Sequence, residues 1–306
     1  MVIMFGSDPE IFARKDGMFI PAYVAMGNAD KEYYLSHGEL VADGAALEFT
    51  VTPTDSIYGL VENIGMNLID TNTLIQKLSG SELSAAPSAN FADWIPQFPP
   101  DYGPRCSLQI LGCDPDICAY GPPLERPDPV IYPYRTTGGH LHFGIGVDLV
   151  KDERFLYYLI AHLDRTIGAL STVYNNSDDA KRRKELYGRA GYYRVNYDIS
   201  TVEYRTMPAM ALLHSPDVTE TLLNIAESVV EWCVDNADDF KTLHRNTGGY
   251  GRITACQEAI DDHDVRACRD LFLEYVSKGP INQQYELAVW LKTDETIDLA
   301  AWEAVC

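Results

Sequence analysis

In the run Thr136-Thr137-Gly138-Gly139-His140-Leu141-His142-Phe143-Gly144-Ile145-Gly146, apolar residues alternate with histidine and glycine. Successive side chains of a strand point to opposite faces. Leu141, Phe143, Ile145 and Val147 therefore share one face, and His140, His142, Gly144 and Gly146 share the other. Two imidazoles point the same way, beside glycines that leave room for a ligand against the backbone. A chain with such a segment needs a sheet with one greasy face and one chemical face.

Three further segments repeat the pattern. In Val2-Ile3-Met4-Phe5-Gly6-Ser7-Asp8-Pro9-Glu10-Ile11-Phe12, Asp8 and Glu10 share a side opposite Phe5 and Ile11. Pro9 has no N–H for a ladder hydrogen bond, so this strand is an edge or is bulged there. In Asp43-Gly44-Ala45-Ala46-Leu47-Glu48-Phe49-Thr50-Val51, Glu48 projects opposite Leu47, Phe49 and Val51. Asp43 has the wrong parity for the Glu48 face unless a bulge resets the register. In Thr201-Val202-Glu203-Tyr204-Arg205-Thr206, Glu203 and Arg205 share a side.

Any half-exposed antiparallel strand alternates polar and apolar residues. Solvated faces, however, mix Thr, Lys, Gln and Ser. Here the polar faces hold carboxylates, imidazoles and arginine among Gly and Ala, which are poor strand formers chosen for space. Carboxylate oxygens with an imidazole suit magnesium or manganese, and arginine suits a phosphate.

The order of these segments resembles the glutamine synthetase and glutamate–cysteine ligase superfamily, and within it the phage and bacterial carboxylate–amine ligases, or amidoligases. Tyr187-Gly188-Arg189-Ala190-Gly191-Tyr192-Tyr193-Arg194 and Gly112-Cys113-Asp114-Pro115-Asp116 extend the likeness, which covers roughly residues 3 to 210. The resemblance implies an α+β fold: a curved antiparallel sheet of the glutamine synthetase catalytic type, helices on one face and long Pro-rich loops over the other. It also implies an ATP- and magnesium-dependent ligase that joins a carboxylate to an amine through an acyl phosphate, with Mn2+ able to replace Mg2+. Asp8, Glu10, Glu48, His140 and Glu203 match its metal ligands. Arg194 and Arg205 match its catalytic, phosphate-binding arginines, and His142 matches a residue that shapes the nucleotide or substrate pocket. Asp8 departs from the family, which commonly carries Glu there; its shorter arm moves the ion or admits a bridging water.

Net charge is −21, and the strongest basic cluster, Lys181-Arg182-Arg183-Lys184, reads as a solvated helical turn. Such an acidic surface repels duplex nucleic acid and anionic lipid, so neither is an expected partner. The expected partners are small-molecule or peptide carboxylates and amines, and the sequence is compatible with an oligomer. No apolar run reaches transmembrane length and the N-terminus starts directly on a strand, which points to the cytoplasm, the host's if the chain is phage-encoded. Seven irregularly spaced cysteines read as reduced thiols; Cys113 and Cys118 lack the second pair that a zinc cluster needs.

Residues 85–135 hold 11 of the 17 prolines, so they form neither a regular helix nor a central strand. Their aromatics, Trp94, Phe98, Tyr120 and Tyr132 among them, predict ordered active-site loops, a lid for the second substrate. Helices are expected over Asp55–Leu78, Asp152–Tyr174, Asp217–Asp235 and Ala255–Tyr275, with His162 and Arg165 on a surface or groove. Thr247-Gly248-Gly249-Tyr250-Gly251 reads as a turn between helices. Residues 1–306 are taken as one catalytic domain, mainly helical over 212–306. Three rival readings remain: a guanidino phosphotransferase on a related sheet, a zinc or iron protein built on His140 and His142, and a non-catalytic binding protein.

Overall fold

The computed structural model describes residues 2–27, 31–103, 106–109, 117–278 and 296–306. Cys113 and the Gly112–Asp116 motif lie outside them. The fold is mixed α+β. Its strands are β1 (Met4–Ser7), β2 (Glu10–Lys15), β3 (Met18–Ile20), β4 (Tyr33–Leu35), β5 (Gly38–Asp43), β6 (Ala46–Phe49) and β7 (Val51–Thr54). After a long helix follow β8 (Glu82–Ser84), β9 (Ser88–Asn90), β10 (Ile117–Cys118), β11 (Tyr134–Thr136), β12 (Leu141–Gly144), β13 (Tyr192–Asn196) and β14 (Thr201–Tyr204).

These form two six-stranded antiparallel sheets, ordered β10-β13-β14-β12-β1-β7 and β3-β2-β6-β5-β4, with β8 on β2 in the second. A β9–β11 ribbon stands apart. The chain passes directly from a strand of one sheet to a strand of the other twice. It goes from β1 to β2 through Asp8-Pro9, and from β6 to β7 through Thr50. Pro9 sits in that passage rather than within a strand, and the β1–β7 register shifts between Phe5 and Ser7. Proline therefore acts where ladder bonding changes hands, which curls the two sheets into one surface.

Side-chain alternation in the first sheet follows the sequence. Phe5, Phe143, Val202 and Val195 lie opposite one another in a row on the core face. The row Gly6, His142, Glu203, Arg194 lies on the other face. Phe5 and Phe143 meet edge to face at 6.1 Å, a favoured aromatic geometry.

Helices cover the apolar face. Ile57–Ser79 is capped by Ser56, whose hydroxyl accepts from Gly59 N–H, and ends at Gly80 in the left-handed conformation. Glu153–Leu163 starts at the Asp152 cap and runs on through a π-helical stretch, Asp164–Gly168, into Ala169–Tyr174. Pro216–Asp235 carries Pro216 in its first turn, where the missing N–H costs nothing. One apolar core runs from Ile3 to Trp302 under both sheets, and a smaller cluster places Phe91, Ile95, Phe98 and Leu108 of the Pro-rich stretch on Phe12 and Ala46. Within that stretch the described residues form β9, β11, the β10 pair and two 3-10 turns.

Several expectations need correction. The predicted helix over Ala255–Tyr275 is two helices, Tyr250–Asp261 and Val265–Lys278, broken at His263 with φ 55°. Thr247-Gly248-Gly249 does join helices: it follows Phe240–Asn246, and both glycines have positive φ. His162 and Arg165 are buried, not surface residues. The His162 ring is 2.6 Å from Tyr275 Oη and 3.1 Å from Leu243 O, and burial pushes its pKa down to about 3. Arg165 donates to Thr247 O. Both polar groups are held in the core by partners, His162 by a phenol and a backbone carbonyl and Arg165 by a backbone carbonyl with Glu274 at 3.9 Å, which a periodicity argument does not detect. No described helix is long and apolar enough to cross a membrane.

The π-helical stretch places Asp164, fully buried, behind the first sheet. Its carboxylate accepts from Tyr204 Oη at 2.6 Å, Tyr120 Oη at 2.7 Å, Gly191 N at 2.7 Å and Thr206 Oγ1 at 3.2 Å. Burial raises its pKa to about 6 despite these donors. Four donors from three segments converge on one side chain. Asp164→Ala strands all four donors and should cost about 3 kcal/mol or more, whereas Tyr120→Phe should cost about 1 kcal/mol. Urea unfolding of the two variants checks the ranking; equal losses would contradict it.

Candidate functional site

The chemical faces of the two sheets meet at the seam where β1 passes into β2. On the first-sheet side, the Gly6–His142–Glu203–Arg194 row puts His142, Glu203 and Arg194 side by side, because directly opposed residues of paired strands share a face. One step towards the seam stand Asp8, His140 and Arg205. Asp8 Oδ1 is 2.8 Å from His142 Nε2 and 3.2 Å from His140 Nδ1. Glu203 Oε1 is 3.4 Å from the same His140 nitrogen and 3.1 Å from Arg205 Nε. Arg194 Nη1 lies 3.7 Å from Glu203 Oε2. The cross-strand arginine partner of Glu203 is thus Arg194, while Arg205 follows Glu203 along its own chain.

On the second-sheet side, Glu10 and Glu48 are directly opposed on β2 and β6. Asp43 joins them: one ligand oxygen from each of the three lies within 4.8 Å of the others, as do ligand atoms of Asp8, His142 and Glu203. The sequence missed Asp43 because it read Asp43–Val51 as one strand. Asp43 instead ends β5, Gly44-Ala45 is a two-residue turn, and Asp43 opposes Ala46. Gly44 has φ 57° there. The Asp-Gly pair was the available signal, since it favours a tight hairpin. The parity problem dissolves with the hairpin; no bulge is needed.

The Gly138-Gly139 pair explains how His140 reaches the seam. Gly138 N donates to Glu10 Oε2 at 2.6 Å, and Glu10 N donates back to Gly138 O at 2.9 Å. A Cβ at Gly138 would sit 2.1 Å from His140 Nε2, and one at Gly139 would sit 2.7 Å from Pro208 O. Only glycine fits either position.

The helix Asp178–Leu186 supplies what the sequence misread. Its Lys181–Lys184 run is not a solvated turn, for Arg183 and Lys184 are buried. Arg183 Nε donates to Thr137 O at 2.7 Å, and its terminal nitrogens donate to Thr206 O and Met207 O at 2.8 Å each. One guanidinium thereby ties the segment before His140 to the segment after Arg205. Lys184 donates to Gly188 O, and burial pushes its pKa down to about 7. Beyond the helix, Tyr187 Oη lies 3.0 Å from His140 Nε2.

Electrostatics divide the site. Burial would raise the Asp8 carboxyl, but the charges of His142 and His140 hold it well below the usual carboxylate range. Burial works against His142, which the Asp8 charge nonetheless raises. At Glu10, Asp43 and Glu48 burial prevails instead. Burial and the Asp43 charge raise Glu10 to about 7, although His140 and Arg205 oppose the shift. Burial raises Asp43 too. Glu48 is raised well above its normal value, by burial and then by Asp8, Glu10, Asp43 and Glu203. Since Glu48 senses carboxylates of both sets, the sets form one electrostatic unit.

Beside His142 opens a cleft of about 550 Å³, lined by Met4, Gly6, Asp8, Pro53, His142 and Gly144 among others. Its floor is the glycine side of the histidine strand, as the alternation foretold. The donor set, five carboxylates and two imidazoles, fits hard divalent cations. Uncompensated charge on Glu10, Asp43 and Glu48 calls for a cation in the same way.

A carboxyl whose folded pKa is raised stabilises the fold below its unfolded pKa, and that stability is lost as pH rises through the folded value. In chelator the protein should lose stability between about pH 4.5 and 7 on account of Glu10. Glu10→Gln should remove a slope on the order of 3 kcal/mol across that window. Parallel stability–pH curves for the two proteins would contradict this.

Residues 130–247 match the model of a family described as phage phiEco32-like COOH.NH2 ligase, type 2. The matched stretch contains His140, His142, Arg183, Tyr187, Arg194, Glu203 and Arg205; Asp8, Glu10, Asp43 and Glu48 lie before it. No curated protein matches the chain. The matched segment carries the Gly-Gly-His-x-His and Glu-Tyr-Arg strands of the site, so the similarity to the carboxylate–amine ligase family falls on the residues that build the first-sheet side of the seam.

Proposed function

We propose that the chain is an ATP- and divalent-metal-dependent ligase that joins a carboxylate to an amine through an acyl phosphate. The observation that carries this reading is the pair of ligand sets at the seam, Asp8/His142/Glu203 with His140 and Glu10/Asp43/Glu48, beside two arginines that meet on Glu203. The residues that would hold magnesium or manganese are Asp8, Glu10, Glu48, His140 and Glu203, with Asp43 added and His142 close enough to share Asp8. Cations bound there would neutralise charge on the phosphate oxygens.

The protein's own groups have distinct tasks. Arg194, whose side chain is 42% exposed, can turn from Glu203 to a phosphate. Arg205, fully buried, supplies fixed positive charge from beneath. The apolar cleft beside His142 suits the base of the nucleotide, lying flat on the Gly6 and Gly144 backbone. The substrate carboxylate attacks the γ-phosphorus, and ADP leaves with the electrons of the broken P–O bond. The amine nitrogen then attacks the acyl carbon; phosphate leaves with the C–O electrons and the amine sheds a proton. Preorganised charge at the seam favours the transferring phosphoryl group because water need not reorganise around it. Phe91, Ile95, Phe98 and Leu108, which pack on Phe12 and Ala46, are proposed to help shield the intermediate from water, within a single catalytic domain.

An acyl phosphate is a mixed anhydride, so hydroxylamine with ATP and the true carboxylate should give a hydroxamate. A guanidino phosphotransferase forms no such species. ATP consumption without hydroxamate, together with phosphorylation of a guanidine compound, would overturn the ligase reading. Glu203→Gln should lower turnover by about 100-fold or more. Arg205→Lys should fall nearly as far as Arg205→Ala, because an ammonium lacks the planar guanidinium's donors. Near-normal rates in the lysine variant, measured by ADP release, would recast Arg205 as a structural partner of Glu203.

A further inference from the structure

We propose that Tyr187 is a positioning residue that fixes a candidate metal ligand and a candidate phosphate-binding arginine at once, the hydroxyl acting on His140 and the ring on Arg205. The inference rests on the ligand reading of His140 given above. Tyr187 lies just past the helix Asp178–Leu186, buried against the seam. Its Oη is 3.0 Å from His140 Nε2, which leaves Nδ1 as the nitrogen facing Asp8 and Glu203. The two rings meet edge-on at 5.7 Å. A ligating imidazole is oriented by the hydrogen bond its other nitrogen makes, and loss of that bond weakens metal affinity. A phenol fits either tautomer of the ring, since it can donate to a bare Nε2 or accept from a protonated one.

The face of the same ring lies under cations. The Arg205 guanidinium carbon is 5.0 Å from the ring centroid and that of Arg183 is 5.3 Å away. Aromatic faces attract guanidinium groups at such distances. Arg205 is thereby held from one side by Tyr187 and from another by Glu203, whose Oε1 is also near His140. Arg183 in turn fixes the carbonyls on either side of the site and packs against Gly188, where a Cβ would fall 1.7 Å from its Nη1. Gly188 has φ 68°, so the turn that presents Tyr187 is built for glycine twice over.

The hydroxyl and the ring can be separated by substitution. Tyr187→Phe keeps the ring and removes the hydroxyl; Tyr187→Leu removes both. The readout is Mn2+ binding by electron paramagnetic resonance, with urea unfolding of each metal-free protein alongside. Tyr187→Phe should weaken Mn2+ about 10- to 100-fold with little change in metal-free stability. It should leave the affinity for inorganic triphosphate in chelator unchanged, whereas Tyr187→Leu should weaken both. Mn2+ affinity in Tyr187→Phe within about twofold of wild type would overturn the inference alone. So would weakened Mn2+ binding that merely tracks lost stability in the phenylalanine variant. Wild-type protein with no saturable Mn2+ binding would instead overturn the ligand reading of His140, and this inference with it.

Discussion

Mutual repulsion among buried and half-buried carboxylates is the constraint around which the molecule is arranged. Glu10 and Glu48 face each other on paired strands, Asp43 completes the group across a hairpin, and burial leaves little water to screen them. Such a cluster is unfavourable in isolation. Burial and neighbouring charge accordingly push Glu10 and Glu48 towards the protonated form. The chain accepts that cost at the passage between its two sheets. There Pro9 and Thr50 interrupt the strands, and the surface bends around the charges.

Holding those charges in place takes a rigid frame. Asp164 draws Tyr120, Gly191, Tyr204 and Thr206 together behind the first sheet, and Arg183 ties Thr137 to Thr206 and Met207 beside it. Both are buried ionisable groups satisfied by several partners, the condition under which polar groups persist in a core. Between them run the segments that deliver His140, Glu203 and Arg205. The frame and the site therefore share a wall, so a change in the frame should reach the chemistry.

The chemical face was legible in the sequence because a strand's period of two is unambiguous. The shared face of His140, His142 and the strand glycines, the opposite face of Leu141 and Phe143, and the shared side of Glu203 and Arg205 follow from it; which strands pair, and that His142 stands opposite Glu203, does not. Asp43 was hidden because its face depends on a turn, and one turn residue more or less inverts every side chain beyond it. Arg183, Lys184, His162 and Arg165 were hidden for a different reason. A polar residue bound to backbone carbonyls in a core has the same sequence signature as one in water. The break at His263 in the predicted Ala255–Tyr275 helix was equally silent, since a non-glycine residue takes positive φ there.

The central claim is that the two ligand sets and the arginines form a single site for a metal–nucleotide pair. Thermal unfolding with a non-hydrolysable ATP analogue, with Mg2+, and with both tests it most directly. A ligand that binds only the folded state raises its melting temperature according to its affinity. The account predicts small shifts for either alone and a shift of several degrees for the two together, lost in Glu48→Gln. Equal shifts with and without Mg2+, or none at all, would contradict it.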